Sequence, residues 1–362
     1  MGSGNKRFTR MGSMLTVVIG VTGNAAATEN FDLRYAPGFG GADMSAPIDP
    51  GWYFQMPSYS YKGKVKLNST ANVDLTAPPF NVPIPGASAS TPVQTEIRVR
   101  ISALAPRLTF MSTEQWLGAT VGATALLPLI EKKADASAAA GQTTFNAAAS
   151  LLPAANQTAI ANGIGAAVAQ QASALSSASF GVGDLELGPI LRWNLDPAQV
   201  LFGLIFALPT GAYDKNRSTN PSAGNFYTVR PMVQYSHIGE SWDLGVRAAY
   251  SINTRNRDTQ YRSGDHLNVD FSLMKSLSEQ LRVGAAGYAF LQTTRDTVNG
   301  TPTALQALTV GKKGRSFAIG PSLAWIKGTG DWLVEGRLLK EFSVQNRPEG
   351  TALWISLTVP LR

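Results

Sequence analysis

From residue 93 to the end of the chain, apolar and polar side chains alternate at every second position, the period of a strand whose two faces meet different surroundings. In 93–103, Val93, Thr95, Ile97, Val99 and Ile101 share one face, and Gln94, Glu96, Arg98, Arg100 and Ser102 the other. The same split recurs in 184–194, with Leu185, Leu187, Leu191 and Trp193 against Asp184, Glu186, Arg192 and Asn194. It returns in 227–236, 242–253, 267–274 and 317–325. Counted from Gly51, the pattern predicts twelve strands, near 51–66, 93–111, 116–131, 183–195, 198–209, 225–238, 241–254, 265–276, 280–294, 315–327, 331–344 and 350–361.

A soluble antiparallel sandwich alternates too, so three further features decide the fold class. Short connections near Ser112, Asp196, Gly239, Ser278 and Gly328 interleave with long polar ones, as in a membrane barrel with tight turns at one end and long loops at the other. Trp193, Tyr227, Tyr235, Trp242, Tyr250, Trp325 and Trp332 sit near strand ends, where amphipathic rings meet lipid headgroups. The polar face carries full charges, which need water or one another, and a lumen supplies both. The expected fold is all-β: a transmembrane antiparallel barrel of about twelve strands spanning 51–362. An even strand count puts both chain ends on the periplasmic side and the long loops outside.

Composition agrees. The chain has 362 residues, no cysteine, 44% hydrophobic and 15% charged residues, which excludes a disulfide scaffold, a thiolate metal site and a disordered chain. Before the barrel, Lys6, Arg7 and Arg10 precede a short apolar run at 14–23 and the small residues Ala25, Ala26 and Ala27. That is a secretory signal pattern over 1–27. Removing it leaves 28 basic against 24 acidic side chains, a balance of +4, so basicity carries little information. Residues 28–50, rich in Gly, Ala and Pro, show no strand pattern and are a candidate plug, because a twelve-stranded barrel has a narrow lumen. Residues 136–183 hold no charged side chain; 136–182 read as a low-complexity, partly helical external insertion. Ile160, Ile164 and Val168 recur at helical spacing. The insertion is either a tolerated loop or a helical lid offering a mildly apolar surface to ligands.

The polar face nominates the lumen: Glu96, Arg98, Arg100, Glu186, Arg192, Arg230, Arg247, Asp270, Arg282, Glu335, Arg337 and Glu341. As mixed-sign ladders these brace a small barrel, and as a constriction they select solutes. No catalytic set emerges. The chain has two histidines, His237 and His266, on different strands, and Ser236 and His237 point to opposite faces. No metal site, cofactor, phosphate loop or nucleic-acid patch is expected. Lys312, Lys313 and Arg315 fall on a loop tip that could contact lipopolysaccharide phosphates.

Read in order, APRLTFMSTEQWLGATVGATALLPL (105–129), GDLELGPILRW (183–193), PTGAYD (209–214), NTRNRDT (253–259), SGD (263–265) and KEFSVQNRPEG (340–350) resemble the outer-membrane proteins of the "MetA-pathway of phenol degradation" family. The chain ends Pro360-Leu361-Arg362, where many barrels end in an aromatic residue. The resemblance implies a Gram-negative outer-membrane barrel, no enzyme, that passes small hydrophobic or aromatic compounds by passive diffusion. Its expected partners are outer-membrane lipids and lipopolysaccharide, the barrel-assembly machinery, and small hydrophobic or aromatic solutes. The competing readings are a non-conducting structural or surface-binding barrel and an outer-membrane lipid hydrolase.

Overall fold

A computed structural model describes residues 18–20, 29, 33–45, 49–302, 304–307, 309–327 and 332–361. The expected signal segment lies outside the described residues apart from Val18–Gly20. Among the described residues the strands are β1 (Val18–Gly20), β2 (Gly51–Asp74), β3 (Ser88–Leu104), β4 (Arg107–Trp116), β5 (Ala119–Leu126), β6 (Leu129–Ala140), β7 (Thr144–Phe145), β8 (Ser177–Val182), β9 (Leu185–Leu195) and β10 (Ala198–Leu208). They continue with β11 (Thr228–Ile238), β12 (Trp242–Asn253), β13 (Tyr261–Arg262), β14 (His266–Ser276), β15 (Leu281–Gln292), β16 (Thr297–Val298), β17 (Arg315–Lys327), β18 (Trp332–Gln345) and β19 (Glu349–Leu361). The helices are α1 (Ala154–Ser173) and α2 (Ala304–Ala307). Among the described residues, no helix is long and apolar enough to cross a membrane.

The residues fall into two compact units. The larger, Asn24–Lys66, Glu96–Ala136 and Leu175–Arg362, is a closed antiparallel barrel of twelve staves. β9 through β12, then β14, β15, β17, β18 and β19 pair in succession. β19 pairs with β2 from Leu361↔Trp52 to Glu349↔Lys64, β2 with β4, β4 with β5 and β5 with β9, which closes the ring.

Three staves consist of two strands each: β3–β4, β5–β6 and β8–β9, with breaks at 105–106, 127–128 and 183–184. The expected single strands at 93–111, 116–131 and 183–195 are therefore longer and interrupted. At the first two breaks proline is the reason. Pro106 and Pro128 have no N–H to donate and cannot sustain a ladder on both sides.

Where the staves are regular, the outward face is apolar: Phe202, Val233, Leu273, Ile319, Leu323, Leu338 and Ile355 are all exposed. Soluble monomers do not present such a continuous surface, and hydrocarbon is its natural solvent. Rings mark its edge at the tight-turn end, where Trp52, Trp116, Tyr235, Trp242, Trp325 and Trp332 are exposed.

The smaller unit contains Leu67–Thr95 and Ser137–Ala174, and within it Val18–Gly20 pair with Thr70, Ala71 and Asn72. Its bounds differ from the expected insertion. Residues 67–95 belong to it, whereas Ser177–Val182 pair with β6 in the barrel. It has its own core: Ile160, Ile164 and Val168 of α1 pack with Val73, Leu75, Val82, Ala89 and Val93. The helical spacing read from the sequence marks this buried face. The apolar side chains that a ligand-binding lid would offer are consumed in packing.

Candidate functional site in the lumen

Inward-facing positions of the regular staves carry the charges the alternation nominated. Glu186, Arg192, Arg230, Arg247, Asp270, Arg282, Glu335, Arg337 and Glu341 all point into the barrel on β9, β11, β12, β14, β15 and β18, and all but Glu186 and Arg282 are buried. They are braced in pairs. Arg230 Nη1 lies 2.6 Å from Glu186 Oε2, Arg282 Nη1 2.5 Å from Asp243 Oδ2, and Arg337 Nη1 2.7 Å from Glu335 Oε2. Arg192 donates from Nε to Gln199 Oε1 at 3.2 Å.

Glu96, Arg98 and Arg100 do not line the lumen. Arg98 and Arg100 are exposed, pairing with Glu96 at 2.7 Å and with Asp135 at 2.5 Å, while Val99 and Ile101 face inward. The reversal has a physical cause. At the loop end these staves run out beyond the hydrocarbon, so water lies outside them and the apolar face turns in. The outward face of β2 shows the change along one strand, from Trp52, Phe54 and Met56 through Ser58 and Ser60 to Lys62, Lys64 and Lys66. On β5 and β6 the outward face likewise runs from Val121, Ala123, Ala125, Leu127 and Leu129 to Glu131, Lys133 and Asp135.

Residues 33–45 thread through the lumen and engage the luminal charges. Asp270 accepts from the Tyr35 hydroxyl, from Gly38 N at 2.9 Å and from Gly40 N at 3.0 Å. Glu335 Oε1 accepts from Ala42 N at 2.8 Å and from Ser322 Oγ at 2.9 Å, and Arg337 Nη2 donates to Phe39 O at 3.2 Å. Asp43 lies 3.3 Å from Arg107 and 3.9 Å from Arg247. Arg34 meets Asp184 at 3.0 Å, donates to Gly224 O at 2.7 Å and stacks 3.9 Å over Phe226. Burial opposes the charge on Asp43, but Arg247, Arg107 and Arg337 outweigh it and hold its carboxyl below the ordinary range.

Glycine makes this path possible. Gly38 sits at φ +80°, and a Cβ at Gly41 would lie 1.4 Å from Arg337 Nη1. No L side chain fits at Gly41 without displacing the arginine.

The segment leaves a cavity of about 200 Å³. One wall is apolar, built from Val99, Ile101, Ala103, Leu126, Pro128 and Ile130; aromatic rings at Phe39, Tyr59, Tyr61, Tyr288 and Trp354 form another. Phe39 meets Trp354 edge-on at 5.8 Å, and Tyr59 lies 4.4 Å from Trp354. Glu341 is held by the Tyr61 hydroxyl at 2.7 Å, the Tyr288 hydroxyl at 2.6 Å and Gly350 N at 2.7 Å.

The apolar wall lies along the stave breaks, where proline carbonyls carry the ladder across. Pro57 O accepts from Ala105 N at 2.9 Å, Pro106 O from Leu127 N at 3.1 Å, and Pro128 O from Gly183 N at 2.7 Å. Each proline accepts there and donates nothing, so four adjacent staves meet along a seam with a thinned ladder.

Sequence reasoning did not nominate Arg34, Asp43 or Arg347, because loop and segment residues carry no alternation, nor Arg107, which sits at the stave break where β4 begins. The tyrosines were within reach: Tyr53, Tyr59 and Tyr61 share the parity opposite to Lys62, Lys64 and Lys66. Ser236 faces inward and is fully buried, His237 faces outward, and His266 packs 5.2 Å from Phe290. Among the described residues, no cluster of His and carboxylates could hold a metal.

Residues 84–357 match the family model described as "Putative MetA-pathway of phenol degradation". The chain belongs to this family. Among solved structures it is similar to the COG4313 outer membrane channel from Pseudomonas putida F1, at 12% identity and a TM-score of 0.59, covering 91% of this chain and 100% of that one. A monoaromatic hydrocarbon channel, CymD, aligns at 8% identity and a TM-score of 0.37, over 94% of this chain and 98% of its own. No curated protein matches. The first likeness shows that this chain shares an outer-membrane barrel fold.

Proposed function

We propose that the protein is an outer-membrane channel that admits small hydrophobic or aromatic compounds by passive diffusion, with residues 33–45 as the plug that narrows it. The observation that carries this reading is the cavity of about 200 Å³ with one wall along the proline seam. Clefts for drug-sized ligands measure roughly 300–1,000 Å³, so this one suits a small solute. An apolar wall beside a thinned ladder gives such a solute a sideways exit into hydrocarbon, and the braced charges close the axial route to larger polar solutes.

Lipopolysaccharide is the partner that the outward face supports. From Trp52 to Lys62 a strand climbs about 33 Å, or roughly 25 Å along the membrane normal at the usual tilt, the height of the apolar band. Lys62, Lys64, Lys66, Arg98 and Arg100 therefore stand at the level of the lipid A phosphates. Export by a signal peptide and insertion by the assembly machinery complete this reading.

Reconstitution in liposomes tests the function. Flux of a neutral aromatic solute above that of protein-free vesicles is expected, with low ion conductance that rises several-fold when residues 33–45 are deleted. No solute flux and no conductance in either form would show a non-conducting barrel.

A further inference from the structure

The luminal cavity carries a charge imbalance that the uptake of neutral hydrocarbons does not require. Among the described residues the five arginines Arg34, Arg107, Arg230, Arg247 and Arg347 line it, against the three carboxylates Asp184, Glu186 and Glu341. Arg34 and Arg230 occupy Asp184 and Glu186. Arg107 and Arg247 share one carboxylate, Asp43. Glu341 is taken up by two tyrosine hydroxyls and a backbone N–H. Arg347 stacks 4.2 Å from the Phe290 ring, and its buried Nε and Nη1 have no acceptor among the described residues. The same holds for Trp354 Nε1 and Arg230 Nη2. Buried donors without acceptors are costly, and more so when charged. These donors belong to residues that line one space with an aromatic and aliphatic wall.

We propose that this cavity is a binding site for a single-ring aromatic monoanion, an aryl carboxylate, seated with its ring against Tyr59, Trp354 and the aliphatic wall and its carboxylate toward Arg347 and Arg230. The ring accounts for the apolar wall and the small volume. The carboxylate supplies the acceptors that the orphaned donors lack, and its charge offsets the cation surplus. This deepens the uptake reading and rests on it for the solute's passage, though binding is measured separately from passage.

The test is calorimetric titration of the detergent-solubilised full chain with benzoate, benzyl alcohol and benzylamine, paired with liposome flux of the same three. Benzoate is expected to bind at least about tenfold more tightly than the other two, the worth of one charge-assisted hydrogen bond. Arg347→Gln should reduce that ratio about tenfold, and Arg347→Lys should restore part of it. Equal affinity for the three, or preference for the amine, overturns the proposal, and continued benzyl alcohol flux then leaves the channel reading standing. Selective benzoate binding with no flux of any of the three supports the site and sinks the channel reading.

Discussion

Two of the broken staves, β3–β4 and β5–β6, and the eight regular ones from β10 to β19 use the same alternation with opposite outcomes. In the regular staves, charge points inward and Leu, Ile and Val point outward, as Arg337 and Leu338 do on β18. At the outer ends of β3 and β6 the charge points outward, as with Arg98 and Lys133, and Val99 and Ile130 line the interior. The side-chain period is identical in both. The medium outside the wall differs, hydrocarbon against water, and it selects the face that turns in.

Substitutions in the two regions should differ in cost according to what each face meets. Glu335→Ala should have the largest effect, because it strands the fully buried Arg337 and removes the acceptor of Ala42 N. Breaking such a buried pair costs about 3–5 kcal/mol. Urea unfolding in detergent checks the stability, and a rise in single-channel conductance checks release of the plug. An unchanged unfolding midpoint would show that the luminal pair braces nothing.

Leu323→Arg places a charge on the lipid face of β17 and should cost about 2–4 kcal/mol. Its counterpart Arg98→Leu, on a side chain 69% exposed, should stay within about 0.5 kcal/mol. Folding titrations into lipid vesicles measure both. Similar costs at the two positions would mean that both faces meet the same solvent.

A smaller effect should follow acidification. The Asp43 carboxyl is held below its ordinary range, so its contribution to docking of residues 33–45 is present above about pH 4 and is lost as the pH falls through its depressed value. Proteolytic protection of the segment should be constant from pH 7 to about pH 5 and fall only in stronger acid. Loss of protection already near pH 6 would show that another group controls docking.

Much of the barrel was legible in the sequence. Nine of the nominated charges line the lumen because they lie on staves whose outer face meets lipid along the stretch concerned. Glu96, Arg98 and Arg100 lie on the opposite face from the one their charge suggests, and the sequence carries the sign of it: Leu104 and Leu108 share their parity and are exposed on the same outward side. A strand whose outward positions turn from leucine to arginine has left the membrane. The prolines were visible too, but only the register shows that Pro57, Pro106 and Pro128 join neighbouring staves along one seam.

By itself the sequence determined the period, the number of staves and the identity of each face, since these follow from bond geometry and local side-chain order. The tertiary structure alone decided which face is inside at each height. It also decided which carboxylate each arginine meets, and that the glycine turn at 38–41 lies against Asp270, Glu335 and Arg337. Those outcomes depend on barrel closure, which sets residues some 230–300 positions apart within one hydrogen bond. The surplus of arginine over carboxylate around the cavity arises the same way, from ten separate stretches of chain brought to one small space.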